Sequence, residues 1–229
     1  MLKRGFDVLL SGAGLIASLP LWGIISLAVK LNDGGPVFYR QERVGKDGRV
    51  FTGLKFRSML PDSDRKWGAI PATENDPRIT RVGKILRATA MDELPQLWNI
   101  FRGDMSFVGP RPEWVELVKK FRVEIPSFDL RHKVRPGLTG LAQVYGHSEI
   151  SRRHKLRYDL LYARRQSFWL DMRLVLLSFA VTFTGRWELR EAKVPRLRQR
   201  RYARAATSTA AWPAEGLLSK GFTQSRPSL

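Results

Sequence analysis

The sequence predicts an α+β protein, mainly α, in which an N-terminal membrane helix, a small β-hairpin and interfacial amphipathic helices surround a compact core. Three observations carry that class. Val8 to Val29 holds no ionisable side chain, two strand-like runs flank Lys46-Asp47-Gly48, and apolar residues recur at helical spacing from Leu94 onward. Of 229 residues 43% are hydrophobic, enough to bury a core, which excludes a wholly disordered chain. Three parts are expected: 1–33 as the membrane element, 34–186 as the folded body, and 187–229 as a basic, disordered tail.

At about 1.5 Å per residue, a straight helix over Val8–Val29 just crosses a hydrocarbon core of roughly 30 Å. The run is long for a signal peptide, and Pro20 and Trp22 stand where its cleavage site is wanted. Ser18-Leu19-Pro20 interrupts it. Proline removes an N–H and crowds the carbonyl four residues back, so a sharp kink is expected. Lys3 and Arg4 precede the run, and Lys30, Arg40, Arg43 and Lys46 follow it. Basic residues on both sides select no orientation for a span and also suit a re-entrant turn with both ends on one face.

Asn32-Asp33-Gly34-Gly35-Pro36 closes this segment as a turn. VFYRQERVG and RVFTGLKFRSM then read as the two strands of a hairpin. Residues 60–77, polar with Pro61 and Pro71, read as a loop, and Arg81 to Arg87 as a helix. Leu94, Leu97, Trp98 and Phe101 form a helical stripe, and Pro95 fits only its first turn. Thr89, Met91, Asp92 and Glu93 therefore fall at or just before a helix N-terminus. Trp114 to Val123 and Arg152 to Gln166 read as helices. Ser167 to Phe183 is apolar but carries Asp171 and Arg173, which suits an interfacial or buried helix better than a second span. An exposed helix of that kind permits a homodimer.

Forty Lys+Arg against 21 Asp+Glu give a formal charge of +19, so an anionic partner is expected: nucleic acid, a phosphorylated small molecule or anionic membrane lipid. The tail from Trp187 has nine basic and three acidic residues; its RLRQRRYARAA section reads either as a lipid-binding run or as a solvated tail. The absence of cysteine excludes disulfides, thiolate zinc sites and a cysteine nucleophile, and three histidines (His132, His147, His154) argue against a His-rich metal site.

Asp92-Glu93 is the leading chemical candidate. Adjacent carboxylates at a helix start complement the helix dipole, and Thr89-x-x-Asp92 matches a capping box. The same pair also suits a nucleophile or metal ligand with a partner carboxylate. Arg87 lies nearby in sequence, Arg111 sits between Pro110 and Pro112, and Arg135 opens an Arg-Pro-Gly turn. Arginine held by proline is suited to forked hydrogen bonding to phosphate, because little freedom remains to be lost. Together with a membrane segment, these groups suggest phosphate chemistry at a membrane surface.

An ordered series of strings carries a resemblance: Lys3-Arg4-Gly5-Phe6-Asp7, the apolar run with Pro20, Gly35-Pro36-Val37-Phe38, Gln41-Glu42-Arg43-Val44-Gly45 and Lys55-Phe56-Arg57-Ser58-Met59. Asp92-Glu93-Leu94-Pro95-Gln96, Gly103 through Pro112, and Arg135 through Gly140 complete it. From Lys3 to about Phe183 the chain resembles the bacterial sugar transferases, the small monotopic phosphoglycosyl transferases. That resemblance implies transfer of a sugar 1-phosphate from a UDP-sugar to polyprenyl (undecaprenyl) phosphate, giving a polyprenyl diphosphate-sugar and UMP and starting exopolysaccharide or other glycan assembly. It implies a re-entrant membrane helix turning at Ser18 to Pro20, with Lys3, Arg4 and Asp7 holding its geometry. The catalytic domain would face the cytoplasm at the bacterial inner membrane. Asp92 would be the nucleophile of a covalent aspartyl-phosphosugar intermediate, with Glu93 beside it, Mg2+ at Asp92 and Glu93, and Arg87, Arg111 and Arg135 on substrate phosphate. Val144-Tyr145-Gly146-His147-Ser148 and Leu141 depart from the family pattern. The alternatives are a membrane-tethered basic protein that binds nucleic acid and a non-catalytic scaffold. With the charge spread along the chain and no recognition motif, no specific nucleic acid is expected.

Overall fold

The computed structural model describes residues 2–63, 76–146 and 151–183. The expected basic tail, most of the 60–77 loop and His147 lie outside the described residues. Helix α1 (Leu2–Asp33) is followed by the hairpin β1 (Phe38–Val44) and β2 (Val50–Phe56), then α2 (Arg81–Ala88) and α3 (Gln96–Arg102). Strand β3 (Ser106–Val108), α4 (Val115–Glu124), β4 (Gly137–Thr139), α5 (Leu141–Tyr145), α6 (Arg152–Arg165) and α7 (Phe168–Phe183) complete the order. The described body is mainly helical with two small two-stranded sheets, as the α+β reading requires.

Helix α1 is one helix of 32 residues with Pro20 inside it. The backbone stays helical through Ser18-Leu19-Pro20. Local side-chain bonds accompany the proline: the Ser18 hydroxyl donates to the Leu15 carbonyl at 3.2 Å and accepts from Trp22 Nε1 at 3.0 Å. Along the helix, Leu2, Leu9, Ile16, Leu19, Ile24, Leu27 and Leu31 are all more than 60% exposed. A helix apolar and long enough to cross a membrane, yet only 11% buried over its most apolar window, is not the core helix of a water-soluble body.

Both ends of α1 are fixed to the same folded body. Near its start, Lys3 Nζ donates to the Val108 carbonyl (3.0 Å), the Tyr162 hydroxyl (2.9 Å) and Asp171 Oδ2 (2.5 Å). Arg4 donates to the Ile100 and Phe101 carbonyls at the end of α3, each at 2.6 Å. Buried Asp7 accepts from Ser106 Oγ and the Phe107 amide, both at 3.1 Å. At the other end, Ile25 and Val29 pack on Phe56 and Leu86, Trp22 stands edge-on to Phe56, and Arg57 pairs with Asp33. Arg57 passes so close to Gly35 that a Cβ there would lie 2.8 Å from its Nη1. The two polar anchors thus bracket an apolar middle.

The hairpin keeps its expected turn at 46–48, with Asp47 in the left-handed region at φ 55. Register pairs Tyr39 with Lys55, Gln41 with Gly53 and Arg43 with Phe51, so these six residues share one face. The short parallel pair β3–β4 was not legible from sequence. Gly109 and Gly137 permit it, since a Cβ at Gly137 would fall 2.0 Å from the Gly109 nitrogen. This close crossing brings the Gly109-Pro110-Arg111-Pro112 and Arg135-Pro136-Gly137 turns together. The main core lies beneath them, built on Ile100, Met105, Val108, Leu141, Tyr162 and Leu174.

Candidate active site

Asp92 and Glu93 sit in a single 3-10 turn, Met91–Glu93, between α2 and α3. Ala90 enters that turn in the left-handed region at φ 56, a conformation that costs a residue with a Cβ roughly 1 kcal/mol or more. The capping box expected from Thr89 does not form. Thr89 instead ends α2, its hydroxyl donating backward to the Ile85 carbonyl at 2.8 Å, as a hydroxyl in a last helical turn readily does. The dipeptide is therefore not held as an ordinary helix cap.

Lys55, near the open end of the hairpin face, reaches both carboxylates. Its Nζ lies 2.5 Å from Glu93 Oε1 and 3.6 Å from Asp92 Oδ2. Arg111 Nη2 donates to the same Glu93 oxygen at 2.9 Å. Glu93 is thus the hub of two cations, whereas Asp92, buried at 6% exposure, receives no hydrogen bond from the described residues. The electrostatics follow this division. Burial opposes ionisation of Glu93, but Lys55 and Arg111 together hold it well below the usual carboxylate range. Burial pushes Asp92 up, reinforced by the Glu93 charge and only partly offset by Lys55, Arg87 and Arg111. The Glu93 charge, in turn, raises Arg111.

An open groove of about 360 Å3 including its mouth adjoins Lys55 and Arg111, floored by the hairpin residues Tyr39, Gln41, Arg43 and Gly53 and walled by Gln96, Met105 and Pro112. Burial, then the nearby Arg111 charge, lowers Arg43 to about 10, which leaves it cationic at neutral pH. The site therefore presents more positive than negative charge, as an anionic ligand requires.

The structure brings Asp92, Glu93 and Arg111 together and places exposed Arg87 within electrostatic reach of Asp92. It does not bring Arg135 to them. Arg135 Nε donates to the Gly103 carbonyl at 3.0 Å, at the far end of α3, because pairing of β3 with β4 draws its turn there. Lys3, Arg4 and Asp7 bond the start of α1 to the folded body. Sequence reasoning missed Lys55 as a site residue; the signal was its place in Lys55-Phe56-Arg57-Ser58-Met59, but only the hairpin register aims it at Glu93. Among the described residues no group of three or more His, Asp or Glu could hold a metal ion. Two adjacent carboxylates still fit Mg2+, which takes one or two protein carboxylates and fills its remaining positions with water and substrate phosphate.

A carboxylate pair set in lysine and arginine is carried by a body clamped to a helix apolar and long enough to cross a membrane. Residues 1–185 match the bacterial sugar transferase family model. The chain belongs to the bacterial sugar transferase family. It is 46% identical over 182 residues to the UDP-glucose:undecaprenyl-phosphate glucose-1-phosphate transferase of Klebsiella pneumoniae, covering 77% of this chain and 39% of that protein. It is 42% identical over 187 residues to the UDP-N-acetylgalactosamine-undecaprenyl-phosphate N-acetylgalactosaminephosphotransferase of Aeromonas hydrophila, covering 80% and 44% respectively. With the exopolysaccharide production protein ExoY of Rhizobium meliloti it shares 41% identity over 200 residues, 81% of this chain and 87% of that one. The chain thus spans less than half the length of the first two relatives and most of the third.

Proposed function

We propose that the protein transfers a sugar 1-phosphate from a UDP-sugar to undecaprenyl phosphate. The observation that carries this reading is the asymmetry of the pair: Glu93 Oε1 is engaged by both Lys55 and Arg111, while Asp92 beside it receives no hydrogen bond from the described residues. Asp92 attacks the sugar-linked phosphorus; a bond forms from its carboxylate oxygen to phosphorus, the bond to the bridging oxygen breaks, and UMP departs. An oxygen of undecaprenyl phosphate then attacks the same phosphorus, the Asp92–phosphorus bond breaks, and a polyprenyl diphosphate-sugar leaves with Asp92 restored. No net proton transfer is needed in either step. Lys55, Arg111 and Arg87 balance the phosphate charge, and Glu93 fixes Lys55 and Arg111 in place. Asp92 and Glu93 would hold Mg2+, which would supply charge neutralisation for the diphosphate.

The acceptor is a lipid, so the donor site must open beside the bilayer. Helix α1 is re-entrant in this reading, supported by its two polar anchors on one folded body. A straight span would carry one of them across the membrane. The body then lies on the cytoplasmic face of the inner membrane, where nucleotide sugars are made. Exposed Trp169, Leu176 and Phe179 of α7 suit contact with the same interface. The relatives' names support UDP-sugar and undecaprenyl phosphate as substrates and exopolysaccharide assembly as the setting.

The test incubates membranes containing the protein with radiolabelled UDP-glucose, UDP-galactose or UDP-N-acetylgalactosamine. Label is expected in the organic phase, with stoichiometric UMP, only when undecaprenyl phosphate and Mg2+ are present. No lipid-extractable label from any of the three donors overturns the reading.

A further inference from the structure

Arg111 lies between two prolines, neither of which has an N–H to donate, and the turn is gripped at its carbonyl oxygens. All three consecutive carbonyls are taken. The Gly137 amide donates to Pro110 at 2.9 Å, Arg131 Nη2 donates to Arg111 at 2.7 Å, and Arg43 Nη1 donates to Pro112 at 2.7 Å. Of these donors Arg131 acts on Arg111 itself. It is 4% exposed, and its guanidinium is also pinned by the equally buried Asp159, with Nε 2.9 Å and Nη2 2.8 Å from Asp159 Oδ2. The guanidinium stands over the Phe128 ring at 5.1 Å.

A buried arginine–carboxylate pair is weak evidence for stability, because desolvation offsets most of the attraction. Here one end of the pair grips the backbone of the residue whose side chain holds Glu93. We infer that Arg131 and Asp159 are positioning residues that fix the direction of the Arg111 guanidinium for the donor diphosphate. Asp159 orients the Arg131 fork, the fork fixes the Arg111 carbonyl, and the flanking prolines restrict the backbone from which the Arg111 side chain reaches Glu93 at 2.9 Å. Lysine at 131 keeps the charge but lacks the fork needed to hold Asp159 and the Arg111 carbonyl together. The inference rests on the proposed transfer reaction for its substrate.

The test is a double-mutant cycle on the full chain in membranes: Arg131→Lys, Arg111→Ala and both together, with UDP-glucose and undecaprenyl phosphate. Arg131→Lys is expected to lower kcat/KM for UDP-glucose by about tenfold or more, leaving KM for undecaprenyl phosphate unchanged. Its cost should shrink to less than about twofold once residue 111 is Ala, because the action runs through Arg111. Asp159→Asn, which preserves shape, should reproduce both results. Thermal unfolding in detergent identifies a variant that loses activity through misfolding. Equal costs in both Arg111 backgrounds, or no cost in either folded variant, overturn the inference. If the wild type transfers no sugar, the functional reading fails instead. The same cycle is then read from the protection against heat given by inorganic pyrophosphate with Mg2+, and lack of coupling to Arg111 overturns the inference there as well.

Discussion

Two charged clusters in this chain use the same residue types to different ends. At the start of α1, Lys3 is shared by Asp171, Tyr162 and the Val108 carbonyl, and Asp7 accepts two hydrogen bonds from β3. Each charge there is matched inside the protein. In the site, cations outnumber carboxylates, and Asp92 is buried without a hydrogen bond from the described residues. A matched network ties elements together, whereas a mismatched one holds charge ready for a ligand.

Replacing Asp92 sharpens that comparison most. Asp92→Asn should lower transfer about a thousandfold or more, since an amide cannot form the phosphoryl ester. Thermal unfolding should show no loss of stability, because the change removes a carboxylate that burial already disfavours. Full activity in this variant would remove Asp92 as the nucleophile, and a lowered Tm would make it a structural residue like Asp171. The pH profile belongs to the same test. With its pKa raised, Asp92 takes up a proton at higher pH than an ordinary aspartate, so activity should rise with pH through an acid limb displaced upward.

The opposite outcome is expected at the anchor. Lys3→Met leaves Asp171, only 3% exposed, without its cation and with the Tyr162 hydroxyl still donating to it, and should cost about 3 kcal/mol of stability. Chemical denaturation in detergent would measure it, and a change below about 1 kcal/mol would mean the anchor is not a matched network in the sense drawn here.

How much of this contrast the sequence disclosed depends on where each partner lies in the chain. The apolar run, the hairpin and the later helices are local patterns, and each stands where periodicity placed it. Asp92, Glu93 and Arg111 were legible because their strings are short and distinctive. Lys55, Arg131 and Asp159 were not, since each acts through a contact far away in sequence: Lys55 with Glu93, Arg131 with the Arg111 carbonyl, Asp159 with Arg131. Arg135 shows the converse. Its rigid turn looked fit for phosphate, but the β3–β4 crossing directs it to the Gly103 carbonyl.

Arg111→Lys probes the mismatched cluster more gently. Charge is kept, but the planar fork is lost, so kcat/KM for the UDP-sugar should fall by about thirtyfold while stability holds. A loss of less than about threefold would show that Arg111 serves only as a point charge.

The smallest expected effect lies just behind that turn, at His132, which lines a small cavity with Pro110, Arg111 and Pro112. Its ring is 7% exposed, stands edge-on to Phe128, and has Asp129 Oδ1 3.2 Å from Nδ1, an oxygen that Arg122 also holds, with the Arg131 charge nearby. Burial, then the Arg131 charge, lowers it to about 4 from 6.5, despite Asp129. The unfolded chain therefore binds a proton there that the folded chain refuses, so stability is complete above the unfolded value and falls as pH drops toward about 4. By pH ~5.5 the loss is about 1.4 kcal/mol, one pH unit below the unfolded value. Denaturation curves at pH ~7.5 and ~5.5 measure it, and His132→Asn should remove that part of the slope. An unchanged slope in the variant would assign the acid sensitivity to the carboxylates, and with it return this side of the Arg111 turn to the matched kind of cluster.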